Sequence, residues 1–196
     1  MNIVQIGTNH GLDHVRDFVK ENDCDFILLV EPWDVHNKYI IKSYNNIKNY
    51  LIENVAIDPN ITDNSIISKP FYISKRDGPR PECRWQSYQC SSLKEEHLLK
   101  CNLNQIKTIE VPCISINYLF TKHQLYHIDY LFIDAEGYDF EILQSIDFTQ
   151  FDITNIQIEI LHLNKSKLYA YMDDKNYSRV LKKTDANGYD FLFRKN

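Results

Sequence analysis

The residues of this chain with the clearest chemical potential follow short apolar segments. Residues 7–11 (GTNHG) come after the apolar segment 3–6 and before a stretch with apolar residues at helical spacing. Glycines in a strand-to-helix turn let the backbone approach a ligand closely, and the helix N-terminus offers N–H groups and a positive dipole to an anion. The spacing is GxxxG rather than the GxGxxG of dinucleotide-binding enzymes. The turn is therefore a candidate ligand site, with an ordinary tight turn as the alternative.

An acidic residue ends the next apolar run. Residues 26–30 (FILLV) are continuously apolar, and Glu31, Pro32 and Trp33 follow them. Glu31 comes roughly 20 residues after the glycine turn, where a carboxylate can accept hydrogen bonds from ribose hydroxyls. Trp33 is placed to cover an adenine ring. The alternative is a solvated acid at the end of a strand, with an aromatic residue at the rim.

More acidic residues and a histidine follow two later apolar segments. Residues 130–133 (YLFI) lead into Asp134 and Glu136, and residues 156–160 (IQIEI) contain Glu159 and precede His162. Ligands of open α/β sheets bind at the carboxyl ends of the strands. A neutral histidine there can take a proton from a hydroxyl, and grouped carboxylates can hold Mg²⁺. The alternatives are a histidine that is hydrogen-bonded in place and a Glu136 that only caps the following helix.

Alternating strands and helices are predicted to position these residues. The first 57 residues follow the order β-α-β-α-β, with a helix near Asp13, a second helix at about 35–50 and a short strand at 54–57. Segments 178–183 and 189–193 flank an Asn-Gly turn at 184–188, which predicts a hairpin. The sequence therefore predicts one Rossmann-like α/β domain over residues 1–196. Its sheet is mostly parallel, with a C-terminal antiparallel hairpin and helices on both faces.

Residues 59–103 interrupt this regularity. Four of the six prolines fall there, which predicts an irregular insertion with some strand at 71–73 and a short helix near 93–99. Arginine and aromatic side chains suit a sugar attached to a phosphate or nucleotide carrier. The alternative is a solvated, partly packed excursion. We expect the insertion to bind the acceptor through Tyr72, Arg80, Arg84, Trp85 and His97.

Bulk properties argue against several classes of protein. The 196 residues carry a formal net charge of -5, which does not favour a broad surface for nucleic acid or for anionic membranes. No apolar run is long enough to span a bilayer and no signal peptide is evident, so we expect a cytoplasmic protein. The five cysteines contain no CxxC pair, which predicts idle or buried thiols rather than structural zinc: Cys24, Cys83, Cys90, Cys101 and Cys113.

Four segments give the chain a more specific resemblance. They are VQIGTNHG at 4–11, LVEPW at 29–33, NVA at 54–56 and, above all, IDYLFIDAEGYDFEIL at 128–143. Over nearly its whole length the chain resembles the FkbM family of class I S-adenosylmethionine-dependent methyltransferases. That family typically shows ID-x-L-x-ID-x-EG-x-(x)-x-E-x-L in the last of these segments. One departure is Gln5, which stands where many class I enzymes carry an acid.

The resemblance implies a cofactor, S-adenosylmethionine, and a site for it. Glu31 would hold the ribose, and Asp134 would lie beside the transferred methyl group. The turn would wrap the methionine part through Gly7, Thr8, Asn9 and Gly11, next to Gln5, and the adenine would lie near Trp33, Ala56 and Asp58. The catalytic candidates are Asp134, Glu136, Glu159 and His162, and the first three are also the Mg²⁺ candidates.

The resemblance also implies a reaction, O-methylation of a small molecule. The expected acceptor is a hydroxyl of a sugar, a nucleotide sugar or a glycan precursor. The alternatives are a noncatalytic nucleotide-binding module and a methyltransferase acting on another small molecule or on RNA ribose. Because the sequence starts at the first strand, one side of the cofactor site is expected to be open or covered by a partner subunit, as in a homo-oligomer.

Overall fold

A seven-stranded sheet forms the centre of the fold. In the computed structural model, which describes residues 1–74, 90–101, 105–161, 163–180 and 188–196, its strands lie in the order β3-β2-β1-β7-β8-β10-β9. All neighbours are parallel except β10, which is antiparallel to both β8 and β9. The strands are β1 (Asn2–Ile6), β2 (Phe26–Val30), β3 (Tyr50–Glu53), β7 (His127–Ile133), β8 (Asp152–Glu159), β9 (Tyr177–Val180) and β10 (Asp190–Lys195). This arrangement confirms the predicted α/β sheet with its C-terminal antiparallel strands. The hairpin turn at 184–187 lies outside the described residues.

Helices cover both faces of this sheet, because successive residues of its apolar strands point to opposite sides. Ile3 packs with Val15 of the first helix on one face, whereas Val4 belongs to the larger core on the other face. Asp13 caps the first helix by accepting a hydrogen bond from the Arg16 N–H (3.0 Å). The helices are α1 (His14–Glu21), α2 (Asn37–Ser43), α3 (Glu95–Lys100), α4 (Ile116–Lys122), α5 (Asp139–Gln144) and α6 (Lys165–Asp174). No helix in the described part of the chain is long and apolar enough to cross a membrane.

The segment between β3 and α4 contains a second, three-stranded sheet. Its strands are β4 (Ala56–Ile57), β5 (Ile67–Ser74) and β6 (Ile106–Ile114), in the order β4-β6-β5. β5 and β6 pair as an antiparallel ribbon through eight residue pairs, and β4 pairs with β6 in parallel. The predicted insertion is therefore more regular than expected, because its strand extends well beyond 71–73. The predicted short helix is present as α3.

Two predicted boundaries near the third strand were wrong. The helix expected at 35–50 ends at Ser43, and its first turn is a 3-10 turn over Asp34–His36. Asn45 and Asn46 follow, and asparagine side chains compete for backbone hydrogen bonds, which favours turns over helix. The strand expected at 54–57 is present only over Ala56–Ile57, as β4 of the second sheet, and the third strand of the main sheet is Tyr50–Glu53, since Tyr50 and Ile52 pack against the core on the α1 side.

Candidate functional site

The glycine turn is drawn tightly against the ends of two strands. The N–H groups of Gly7 and Thr8 both donate to the Val30 carbonyl at the end of β2 (3.0 Å each). Gly7 has φ +81°, and a Cβ atom there would lie 1.7 Å from the Asp134 carbonyl oxygen at the end of β7. Only glycine permits this approach, because any side chain would collide with backbone. The turn therefore joins the carboxyl ends of β1, β2 and β7.

Glu31 links the turn to the end of β2. Its side chain is buried; Oε2 accepts a hydrogen bond from the Asn9 N–H (2.8 Å), and Oε1 accepts one from the Trp33 N–H (2.9 Å). Asn9 has φ +51°, a conformation that asparagine tolerates better than most residues. Each carboxylate oxygen has a second lone pair, so Glu31 can accept further hydrogen bonds from a ligand.

These strand ends border a cavity of about 820 Å³. It lies at the carboxyl ends of the parallel strands, where ligands of doubly wound sheets bind, and its volume is within the range usual for ligand sites. Eight predicted site residues line it: Gly7, Thr8, Asn9, Glu31, Ala56, Asp134, Glu136 and Glu159. Further polar residues that sequence reasoning had not assigned to the site also line it: His10, Asp13, His14, His36, Tyr138 and Asp190.

Two of the lining residues carry buried polar atoms without a hydrogen-bond partner among the described residues. They are Thr8, through Oγ1, and His36, through both ring nitrogens. His36 Nδ1 lies 3.5 Å from Glu31 Oε1. An unsatisfied buried polar atom costs about 1–3 kcal/mol, so such atoms are normally paired with water or a ligand. The side of the cavity next to Glu31 therefore has the donors and acceptors expected for a polar ligand.

The acidic side of the cavity follows β7 and β8. The side chain of Asp134 opens into the cavity, and the surrounding protein together with the Glu136 and Glu159 carboxylates raises its pKa well above the ordinary range. Burial, and then the charge of Asp139, raise the pKa of Glu136 to about 8. Asp139 is buried, and burial raises its pKa although it accepts hydrogen bonds from the N–H groups of Ala135 (2.6 Å) and Gly137 (3.1 Å).

The metal candidates are only partly those predicted. Asp134, Asp139 and Glu159 each place one carboxylate oxygen within 4.8 Å of the other two. Glu136, the predicted third member, instead places Oε2 2.6 Å from His97 Nε2. Asp134 and Glu159 line the cavity and Asp139 does not, which makes Asp134 and Glu159 the better pair for Mg²⁺. Mg²⁺ usually keeps several waters and takes only one or two protein carboxylates.

Comparison with known proteins identifies the family. A family model described as "Methyltransferase FkbM domain" matches residues 5–191. This chain belongs to the FkbM family of S-adenosylmethionine-dependent methyltransferases. The cavity described above is therefore at the strand ends of an FkbM domain, and the family motif at 128–143 forms β7, the loop with Asp134 and Glu136, and helix α5.

Similar solved structures are distant in sequence. They include methyltransferase FkbM from Methylobacillus flagellatus KT, with 12% identity, a TM-score of 0.55 and coverage of 98% of this chain and 43% of that one. TrmK from M. capricolum, in complex with S-adenosyl-homocysteine, has 14% identity, a TM-score of 0.48 and coverage of 100% and 62%. An rRNA methylase from Streptococcus thermophilus has 9% identity, a TM-score of 0.47 and coverage of 100% and 87%. This FkbM domain thus spans less than two thirds of the length of the first two, and no curated protein matched it.

Three predicted cofactor contacts of the FkbM domain lie outside the cavity lining. Gln5 is buried and donates to Asp13 Oδ2 (2.7 Å), so it positions an acid that does face the cavity. Gly11 packs on Tyr44, where a Cβ atom would lie 3.0 Å from the ring. A larger residue at position 11 would therefore clash with Tyr44 rather than fill the cavity. The ring of Trp33 packs beside that of His36, with centroids 4.9 Å apart.

Asp58 and two predicted acceptor contacts are also absent from that lining. Asp58 is buried and forms an ion pair with Lys69. Tyr72, in β5, exchanges backbone hydrogen bonds with Ser92 (2.8 and 3.0 Å), and His97 is buried in α3. The insertion contributes Phe71, Ser91 and Leu93 to the lining instead. Arg80, Arg84, Trp85 and His162 lie outside the described residues, so their predicted roles remain predictions.

Proposed function

We propose that this protein transfers a methyl group from S-adenosylmethionine to a hydroxyl of a sugar or sugar-like small molecule. The observation that carries the proposal is the convergence of the glycine turn, Glu31 and Asp134 on one cavity in an FkbM domain. Glu31 would accept hydrogen bonds from the ribose hydroxyls. The methionine part would lie along the turn, towards Asp134, which stands beside the methyl group.

We expect the glycine turn to form its polar contacts with the cofactor through a side chain rather than through backbone N–H groups. The N–H groups of Gly7, Thr8, Asn9 and Gly11 already donate hydrogen bonds within the protein. The Thr8 hydroxyl is the buried polar group of the turn that has no partner among the described residues. We therefore assign it a hydrogen bond to the cofactor, in addition to the ribose contacts of Glu31.

The charge of the cavity favours a cationic cofactor. Its described lining contains six acidic side chains and no lysine or arginine: Asp13, Glu31, Asp134, Glu136, Glu159 and Asp190. The raised pKa values of Asp134 and Glu136 reduce the negative charge, but no lysine or arginine of the described lining opposes it. S-adenosylmethionine carries a sulfonium and an ammonium against one carboxylate, so a negative potential attracts it. The same potential disfavours a phosphate on the acceptor. A nucleotide-sugar acceptor would depend on Arg80 and Arg84, which lie outside the described residues.

Isosteric substitutions test the cofactor site. Thr8→Val removes the hydroxyl, whereas Thr8→Ser keeps it, so only the valine variant should lose affinity for S-adenosylmethionine. Glu31→Gln should weaken binding by about 1–3 kcal/mol, which is roughly 5- to 150-fold, because a charged acceptor is lost. Glu21→Gln, at the exposed end of α1, is the matched control. Unchanged calorimetric affinity in Thr8→Val and Glu31→Gln, with folding intact, would exclude this site.

Methyl transfer to a hydroxyl needs a group that takes the proton. The acceptor oxygen attacks the methyl carbon, the carbon–sulfur bond breaks in line, and S-adenosylhomocysteine leaves with the sulfur electron pair. We assign the hydroxyl proton to His162, which follows the cavity residues Glu159 and Leu161 in sequence. Asp134 orients the acceptor. The alternative to His162 is a Mg²⁺ ion, which Asp134 and Glu159 would hold and which would lower the pKa of an acceptor hydroxyl bound to it.

The proton acceptor is tested by kinetics. His162→Ala should lower kcat by about 10²–10⁴-fold with cofactor affinity preserved. The wild-type rate should rise with pH through roughly 6–7, and the variant should lose that rise. His127→Ala, at the opposite end of β7, is the control. A near-wild-type rate for His162→Ala eliminates the histidine, and loss of activity in EDTA that Mg²⁺ restores would assign the role to the metal.

The acceptor is tested by mass spectrometry. Candidate sugars and nucleotide sugars are incubated with the enzyme and S-adenosylmethionine, and a product with one added methyl is sought. Arg80→Ala combined with Arg84→Ala should raise the acceptor KM and leave cofactor affinity nearly unchanged. Cofactor binding without transfer to any hydroxyl compound would instead support a noncatalytic binding module, and transfer to RNA alone would refute the small-molecule acceptor.

A further inference from the structure

Three side chains typical of transition-metal sites meet beside the cavity. Cys90, His97 and Cys101 each place one ligand atom within 4.8 Å of the other two. Cys90 and His97 are buried, and Cys101 is half-buried at the end of α3. Sequence analysis predicted idle or buried thiols instead, because the spacing is C-x₆-H-x₃-C without a CxxC pair. Cys90 precedes helix α3, His97 lies within it and Cys101 follows its last residue, so the helix brings the three side chains together.

One hydrogen-bond distance in this group matches the spacing of two zinc ligands. His97 Nε2 and Cys101 Sγ are 3.6 Å apart. Zinc binds sulfur at about 2.3 Å and imidazole nitrogen at about 2.05 Å, so two such ligands at the tetrahedral angle are about 3.6 Å apart. Glu136 reaches the same nitrogen, with Oε2 2.6 Å from His97 Nε2. To share a metal ion with His97, the Glu136 carboxylate would have to move back, because oxygen and nitrogen ligands of a tetrahedral zinc ion are about 3.4 Å apart.

We propose that Cys90, His97 and Cys101 form a site for a zinc-type divalent ion, with Glu136 or water as the fourth ligand. Two thiolates and an imidazole are a ligand set that selects zinc over Mg²⁺ or Ca²⁺. The site is separate from the carboxylate pair Asp134 and Glu159, which offers only oxygen. The proposal does not depend on methyl transfer.

The site lies where it can fix one wall of the cavity. Ser92 Oγ donates to the Glu136 carbonyl (2.8 Å), and Lys94 Nζ donates to the Gly137 carbonyl (2.6 Å). These bonds join the end of the insertion to the loop after β7. A metal bound by Cys90, His97 and Cys101, and by Glu136, would join the same two segments more strongly, next to the cavity-lining Ser91 and Leu93.

The experiment measures metal content and Co²⁺ spectra of the full chain, purified without chelator. We expect about one zinc ion per chain and, after replacement by Co²⁺, a sulfur-to-cobalt charge-transfer band with strong visible bands of tetrahedral geometry. Cys90→Ser, Cys101→Ser and His97→Ala should each lose zinc. Cys113→Ser, which alters a buried cysteine of β6, is the matched control and should keep it. A chelator should lower the Tm of the wild type and of Cys113→Ser but not of Cys90→Ser.

Several results would overturn the site. A wild-type Co²⁺ spectrum without a thiolate charge-transfer band does so even if the cysteine variants fail to fold. A metal-free protein that forms a Cys90–Cys101 disulfide under mild oxidation, identified by peptide mapping, would assign the pair to redox chemistry. Equal zinc loss in Cys113→Ser would show that the variants act through general destabilisation.

Discussion

Gly7→Ala tests whether the strand ends of the FkbM domain are as close as the structure shows. The alanine Cβ would lie 1.7 Å from the Asp134 carbonyl oxygen, and even close contacts of real Cβ atoms are at least 3.0 Å. The end of β7 must therefore move by at least 1.3 Å, the difference between these distances. Such a shift opposes the hydrogen bond from the Asp134 N–H to the Ile6 carbonyl (3.1 Å), which closes the pairing of β1 with β7.

The magnitude can be separated into two parts. A positive φ costs alanine about 1–2 kcal/mol, and the stiffer unfolded chain returns about 0.4–1 kcal/mol of this. Gly188 isolates that part, because it has φ +72° and a Cβ there would meet no described atom within 4 Å. We expect Gly188→Ala to cost about 1 kcal/mol. Gly7→Ala adds a backbone collision and should cost about 3–5 kcal/mol in total.

Urea unfolding followed by circular dichroism measures both variants, with S-adenosylmethionine affinity measured on the folded fraction. Gly11→Ala should fall between them, because its Cβ would lie 3.0 Å from the Tyr44 ring, which can shift more easily than backbone. If Gly7→Ala and Gly188→Ala lose the same stability within about 0.5 kcal/mol, β7 does not approach the turn as described. The proposed cofactor site, in which the glycine turn lies against the end of β7, is then wrong.

Two further predictions concern buried polar groups away from the cavity. Lys69→Ala should lower the free energy of unfolding in urea by about 2 kcal/mol, because it leaves the buried Asp58 carboxylate without its partner. The partial exposure of Lys69 to solvent keeps this loss moderate. Burial opposes ionisation of Asp58, but the hydrogen bonds from Lys69 and Asn60 outweigh it and lower the pKa of Asp58. The stabilisation by this ion pair is therefore present above about pH 4 and is lost as the pH falls through the lowered pKa. A wild type whose stability depends on acid pH in the same way as that of Lys69→Ala would contradict this. Tyr177→Phe should cost about 1–3 kcal/mol, because its hydroxyl donates to the buried Ile153 carbonyl; an unchanged urea midpoint would show that water takes its place.

Local patterns were sufficient to predict most of the fold. Residues 26–30 and 130–133 are continuously apolar because both faces of their strands are covered by helices, and they form β2 and the end of β7. Sequence analysis missed the strand Tyr50–Glu53 and expected the third strand at 54–57, because both segments suit a short strand. Only packing against Tyr44 and the α1 side of the core decides which of them joins the main sheet.

The candidate site was predictable where it depends on one strand end and unpredictable where it depends on a distant partner. Glu31 and Asp134 line one cavity because β1 pairs with both β2 and β7. The β-α-β order implies the first pairing, whereas the family resemblance alone implied that Asp134 belongs to the same site. Gly11, by contrast, is required by Tyr44, and Asp58 by Lys69, contacts that no local pattern encodes. His36 was missed because a lone histidine in a short turn carries no signal in sequence.

The parallel pairing of β4 with β6 brings together the two ends of the segment that contains the insertion, residues 58–113. Ile57 lies opposite Ile114, and neighbouring strands are about 4.8 Å apart, so the chain leaves and re-enters at almost the same point. A segment anchored this way can lengthen, shorten or change sequence without moving the strands that hold the glycine turn and Glu31. Under the proposed function, the acceptor preference can therefore change through this segment while the residues proposed to hold the cofactor keep their positions.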